Sequence, residues 1–150
     1  MSIHRATINW QRDDKSFELK SYSRDHIWQF PGGEALHASA APAYAGNASL
    51  VDPEEAFTAS LSACHMLTFL ALACGKGFVV NSYHDEAEGT LGKTEQGRLA
   101  MTRVVLRPRI EFDGKTPDAE TMSRLHERAH KACFIANSVS TEVVVESAES

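Results

Sequence analysis

The sequence predicts a single α+β domain over residues 1–150, and three features carry that reading. Segments rich in β-branched and aromatic residues, cut by polar turns, fill the first forty positions and return after residue 77. A capped and almost uncharged stretch, "DPEEAFTASLSACHMLTFLALACG", separates the two sets. The order that results is strands, helix, strands, helix, strand, without an internal repeat or a domain boundary.

The elements follow in turn. "HRATINW" (4–10) and "SFELKSYSRDHIWQF" (16–30) read as strands parted by the turn "QRDDK". "PGG" at 31–33 closes the second, and "EALHASA" (34–40) returns as a third. After the loop "PAYAGNASL" comes the strongest helix start in the chain. Asp52 caps, Pro53 suits the first helical position, and Glu54 and Glu55 complement the positive end of the dipole. Glu55, three after Asp52, makes a variant capping box. The helix should run to about Cys74, where "GKG" stops it. With no charge between Glu55 and Lys76 it is predicted to be buried on all sides. "FVVNSYHDEAEGTL" and "RLAMTRVVLRPRIEF" read as two long strands joined by "GKTEQG", with Pro108 marking an edge or bulge. A second helix runs from Thr116 and Pro117 to about Cys133, and "TEVVVES" is a closing strand.

Composition narrows the function. The net charge of −5 and the lack of a Lys/Arg cluster argue against nucleic acid. The longest uninterrupted apolar run, about ten residues, is too short to span a bilayer. "MSIHRATINW" lacks the apolar stretch of a signal peptide, so a cytoplasmic protein without membrane partners is expected. Three cysteines in such a chain suggest packing, redox chemistry or metal rather than a disulfide framework.

Two features of the central helix invite function. Ala56, Ala59, Ser60 and Ala63 lie on one face. Small side chains there permit close packing, either on the protein's own sheet or on the same helix of a second subunit. Cys64, beside His65, sits in the middle of the apolar run. From the residues alone it reads as a small core hydrophobe, as does Cys74, while Cys133 at the end of the second helix stays ambiguous.

"DPEEAFTASLSAC", followed some seventy residues later by "AHKAC", resembles the OsmC/Ohr family of osmotically induced and organic hydroperoxide resistance proteins. "YSRDHIWQFPGG" is similar to an OsmC-like subgroup. The resemblance implies antiparallel strands around a buried central helix, an intertwined homodimer, and a thiol peroxidase that needs no cofactor. Cys64 matches the peroxidatic cysteine, Cys133 the resolving cysteine and Glu54 the acidic residue. Arg24 is the best match to the essential arginine, with Arg12 as the alternative.

The chemistry suits those roles. A buried mid-helix thiol needs a cation close by to ionise, and a guanidinium held by a carboxylate supplies one. The thiolate reduces a small organic hydroperoxide, Cys133 closes a disulfide on the sulfenic acid, and an external dithiol resets the pair. Met66, Phe69 and Phe134, with His65, are the candidate substrate walls. Ten helical residues separate Glu54 from Cys64 by about 15 Å, too far for one chain. Antiparallel helices crossing near Ala59 and Ser60 would bring Glu54 of one subunit towards Cys64 of the other, hence a homodimer with interface sites.

Two positions depart from the hydroperoxidases: His65 stands where an aromatic is usual, and Phe134 where proline is usual. A buried imidazole bonded to a carbonyl is the favoured role for His65. One rival is zinc held by His126, His130 and Cys133, at i, i+4, i+7, with Cys64 and His65. "HERAH" fits the HExxH pattern literally, but a zincin needs a third ligand and a larger framework. The other rival is a non-catalytic relative binding a small apolar ligand.

Overall fold

The structure is a computed structural model that describes residues 1–13 and 16–146, so Asp14 and Lys15 of the "QRDDK" turn and Ser147 of the closing strand lie outside it. Two compact units emerge, Met1–Ala56 and Phe57–Ser150.

The first unit is an antiparallel sheet of three short strands, β1 (Thr7–Asn9), β2 (His26–Gln29) and β3 (Ala35–Ala38). The long strand expected over 16–30 shrinks to β2. Its first half turns instead, with the N–H groups of Ser21 and Tyr22 both donating to the Glu18 carbonyl. Trp10, Phe17 and Tyr22 gather in an aromatic cluster with ring centroids 5.0–6.2 Å apart, Trp10 meeting Tyr22 edge-on. Ile8, Phe17, Leu19, Phe30 and Leu36 remain exposed.

Helix α1 (Pro53–Gly75) begins as its cap dictates: the Asp52 carboxylate accepts from the Glu55 N–H at 2.8 Å. It ends in a Schellman turn, where Gly77 adopts φ 81° and the N–H of Phe78 reaches back to Ala73 O. The helix is not buried on all sides. One stripe, Leu61, His65, Phe69 and Ala73, is buried, while Ala59, Ser60, Ala63, Leu67 and Ala71 are exposed. The small face therefore does not pack on the protomer's own sheet. By length and composition α1 could also cross a membrane, against the expectation drawn from uninterrupted runs. Thr58, Ser60, Ser62 and Thr68 break those runs without adding charge.

The second unit pairs α1 with a bent ribbon. Strands β4 (Val79–Asp85) and β7 (Pro108–Asp113) form one antiparallel pair, and β5 (Glu88–Lys93) and β6 (Leu99–Leu106) another. The two long strands expected from sequence both break at one level. Pro108 has no N–H to give, and the Arg107 N–H turns to the Asp85 carboxylate at 2.6 Å. Ser62 on α1 donates to the other oxygen of Asp85, tying the bend to the helix. Strand β8 (Glu142–Val145) pairs with β6 in parallel, so the sheet is not purely antiparallel.

Helix α2 (Ala119–Ala132) starts later than Thr116, because the Asp118 side chain caps it through the Thr121 N–H. Two cores result. Phe69, Ala73, Leu125 and Ala129 join the helices above β4 and β7; Leu61, Val104 and Leu106 join α1 to β6 and β8.

Asp85→Ala removes two hydrogen bonds to a charged acceptor at the bend and is expected to cost about 3 kcal/mol in urea unfolding. Asp85→Asn keeps one acceptor oxygen and should fall between wild type and alanine.

Candidate active site

Cys64 lies half-buried in the middle of α1, and Cys133 is fully buried at the end of α2. Cys133 leaves helical geometry (φ −70°, ψ 113°) while its N–H still reaches His130 O at 3.3 Å. The chain then folds back on itself. Ala136 N–H donates to Cys133 Sγ at 3.4 Å and Asn137 N–H to Cys133 O at 3.0 Å.

This turn brings the two thiols together as reduced groups sharing a hydrogen bond. Burial pushes the Cys64 thiol up, but hydrogen bonds from Cys133 and from the backbone N–H groups of Ile135 and Phe134 outweigh it, and the net shift is down. Thr68 adds less than proximity suggests, since its one hydroxyl proton already goes to the Cys64 carbonyl at 2.8 Å. Cys133 moves the opposite way: burial and its bond to Cys64 both push it up. The pair is therefore unequal, with Cys64 the more acidic thiol and Cys133 the less acidic. A nucleophilic sulfur with a protonated thiol in contact is equipped for thiol–disulfide chemistry.

The other predicted residues divide. Phe134 turns its ring to solvent, and the part of it that meets the thiol is its backbone N–H. Proline, usual at this place in the hydroperoxidases, has no such proton. Phe69 is wholly buried against Tyr83 and His126, so it serves the core rather than a substrate wall. Met66 is half-buried. Glu54 lies in the first turn of α1 beside the Asp52 cap. The strongest influences on Cys64 after burial are hydrogen bonds from Cys133, the turn N–H groups and Thr68. Arg24, in the first unit, donates to Leu19 O and to Tyr22 O, with its guanidinium 3.6 Å above the Tyr22 ring. Its own carbonyl is held by His26 Nδ1 at 2.7 Å.

His65 is buried, as favoured, but its partner is another imidazole rather than a carbonyl. His65 Nε2 and His126 Nδ1 lie 3.0 Å apart with nearly parallel rings. Burial, together with His126 and His130, lowers His65 to about 4; burial lowers His126 to about 4, against a small upward pull from Asp85. Both are neutral at pH 7. His65 Nδ1, His130 Nδ1 and the Tyr83 hydroxyl are buried without a protein partner. Among the described residues no three His, Cys, Asp or Glu side chains converge as a metal would need, and Cys133 faces Cys64. A cavity of about 1030 Å³ opens between α2, β7 and β8, lined by Ile110, Phe112, Met122, His126, His130 and Val145 among others; neither Cys64 nor Cys133 lines it.

Comparison with known proteins adds to this geometry. The family described as OsmC-like protein matches residues 46–148. No curated protein matches. A solved structure from Vibrio cholerae O1 biovar eltor, described as an OsmC-like protein of unknown function, is 46% identical with a TM-score of 0.95, covering 99% of this chain and 100% of its own. An organic hydroperoxide resistance protein from Elizabethkingia anophelis is 20% identical, TM-score 0.75, covering 100% of this chain and 98% of its own. Another, from Legionella pneumophila, is 18% identical, TM-score 0.73, covering 99% and 98%. At such identities the likeness is one of fold.

The buried imidazoles make stability depend on pH. Unfolded, each takes a proton near 6.5; folded, each refuses it until about 4. The unfolded state thus binds more protons between those values, so stability is lost as pH falls from 6.5 towards 4 and is unaffected above. One imidazole contributes up to about 3 kcal/mol of this slope. Urea midpoints should be level at pH 8.5 and 7.5 and fall through pH 5.5 and 4.5, and the fall should weaken in His126→Asn.

Proposed function

The chain belongs to the OsmC-like family, and we propose that within it this protein is a cofactor-free thiol peroxidase acting on small organic hydroperoxides. The observation that carries the reading is the unequal thiol pair, with Cys64 drawn down and Cys133 held up by the same contact. The Cys64 thiolate attacks the distal peroxide oxygen. The O–O bond breaks, the alkoxide takes a proton and leaves as alcohol, and Cys64 becomes a sulfenic acid. Cys133 displaces hydroxide from that sulfur, losing its own proton, so water departs and a disulfide remains. An external dithiol restores both thiols.

Cys64 has two supports in this scheme. Backbone N–H groups at 134 and 135 and the Cys133 thiol act from its own chain. Arg24, or Arg12 in its place, together with Glu54, acts from a second copy. A homodimer with interface sites is supported by the exposed stripe Ala59, Ser60, Ala63 and Leu67 on α1 and by the exposed apolar residues of the N-terminal sheet. Both are surfaces that a free protomer leaves in water at a cost. The expected setting is cytoplasmic, without nucleic acid or membrane partners. The groove beside α2, mostly apolar and lined in part by His126 and His130, favours a second reading: a non-catalytic relative that holds a small apolar ligand there.

Treatment with one equivalent of cumene hydroperoxide, followed by intact mass measurement, separates these. The wild type should lose two hydrogens, Cys133→Ser should gain one oxygen, and Cys64→Ser should do neither. Arg24→Ala should slow the wild-type reaction about a hundredfold. Wild-type protein unchanged in mass would favour the binding reading. In sedimentation velocity Ala63→Trp should shift the dimer towards monomer and lose activity with it.

A further inference from the structure

We propose that the hydrogen bond between His65 and His126 is a positioning device that holds the two thiols within bonding reach; the idea rests on the disulfide step of the function proposed above. Cys64 and Cys133 belong to different helices, and what sets their separation is how α1 sits against α2. Most of that contact is apolar: Phe69 and Ala73 against Leu125 and Ala129. Apolar contact is not directional and tolerates small rotations and slides. The imidazole bond does not. At 3.0 Å between buried rings it fixes one point of α1 to one point of α2, and any slip leaves polar nitrogens unpaired in the core.

The positions of the four residues couple this bond to the sulfurs. His65 follows Cys64 directly, so a rotation of α1 that parts the imidazoles swings the thiol as well. His126 precedes Cys133 by seven residues, two turns along the same face of α2. The bond and the thiol contact are thus two fixed points on one helix–helix seam. Phe69, stacked on His126 with centroids 4.6 Å apart, holds that ring in its rotamer.

Amide side chains give the test. An asparagine amide occupies the place of an imidazole Nδ1, and a glutamine amide that of Nε2. Since the bond joins His65 Nε2 to His126 Nδ1, His65→Gln and His126→Asn can keep it, whereas His65→Asn and His126→Gln cannot. The quantity to measure is the equilibrium between dithiol and Cys64–Cys133 disulfide in glutathione buffers, where oxidised glutathione takes the two electrons and is released as two reduced molecules. The bond-breaking pair should disfavour the disulfide about tenfold, the worth of a buried hydrogen bond, while the bond-keeping pair stays near wild type. Leu125→Ala, which loosens the apolar seam and leaves the imidazoles, controls for general destabilisation and should shift the equilibrium less. Equal behaviour of all four amide variants overturns the proposal, as does a wild type that forms no disulfide in any glutathione mixture. A wild type that closes in glutathione yet ignores hydroperoxide sinks the peroxidase reading and leaves this one standing.

Discussion

Everything chemical in this protein depends on the seam between α1 and α2. It is a narrow contact, made by His65, Phe69 and Ala73 of α1 and by Leu125, His126 and Ala129 of α2, with Cys133 just past the end of α2. Its sequence is mostly apolar, so burial supplies the attraction. Its two polar features are what give it a register: an imidazole pair in the core and a thiol pair at the end of α2. The ribbon of β4 to β7 serves this seam as a wall, and the Asp85 carboxylate ties the bend in that wall to Ser62, two residues before Cys64.

The thiol pair illustrates how little charge is needed to bias a buried sulfur. Burial opposes ionisation at both cysteines, so burial cannot tell them apart. What distinguishes them is the bond between them, backed by the turn after α2: its Phe134 N–H meets Cys64, its Ala136 N–H meets Cys133, and its Ile135 N–H meets both. The thiol proton of Cys133 then favours the anion on Cys64 and is itself held more tightly in return. A guanidinium contributed by a second subunit would deepen a bias that the protomer already has.

Much of this architecture was legible in the chain. The 52–75 helix announced itself through Asp52, Pro53, Glu54 and the "GKG" stop, all local signals whose effect is complete within a turn or two. The α+β order followed from strand composition. What escaped were features that depend on distant partners. Pro108 signalled a break, but not that Asp85 would take the Arg107 N–H and fold both long strands at one level. Parallel pairing of β8 with β6 has no local signature. His126 and His130 drew attention through HExxH spacing, a pattern that an amphipathic helix with two core-facing histidines also satisfies. The true partner of His126 lies 61 residues away, and no periodicity reports such a pairing. Uniform hydrophobicity misled in another way, since α1 buries one stripe and leaves the opposite one exposed.

The account's central claim is that contact with Cys133 and the turn behind it makes Cys64 the more acidic of the two thiols. Following thiolate absorbance against pH in reduced Cys74→Ser protein, and in that protein with Cys64→Ser or Cys133→Ala added, tests it most directly. The account predicts that Cys64 ionises before Cys133 and that Cys133→Ala moves the Cys64 titration to higher pH. A Cys64 thiol that titrates at or above Cys133, or that is indifferent to the loss of Cys133, would contradict it.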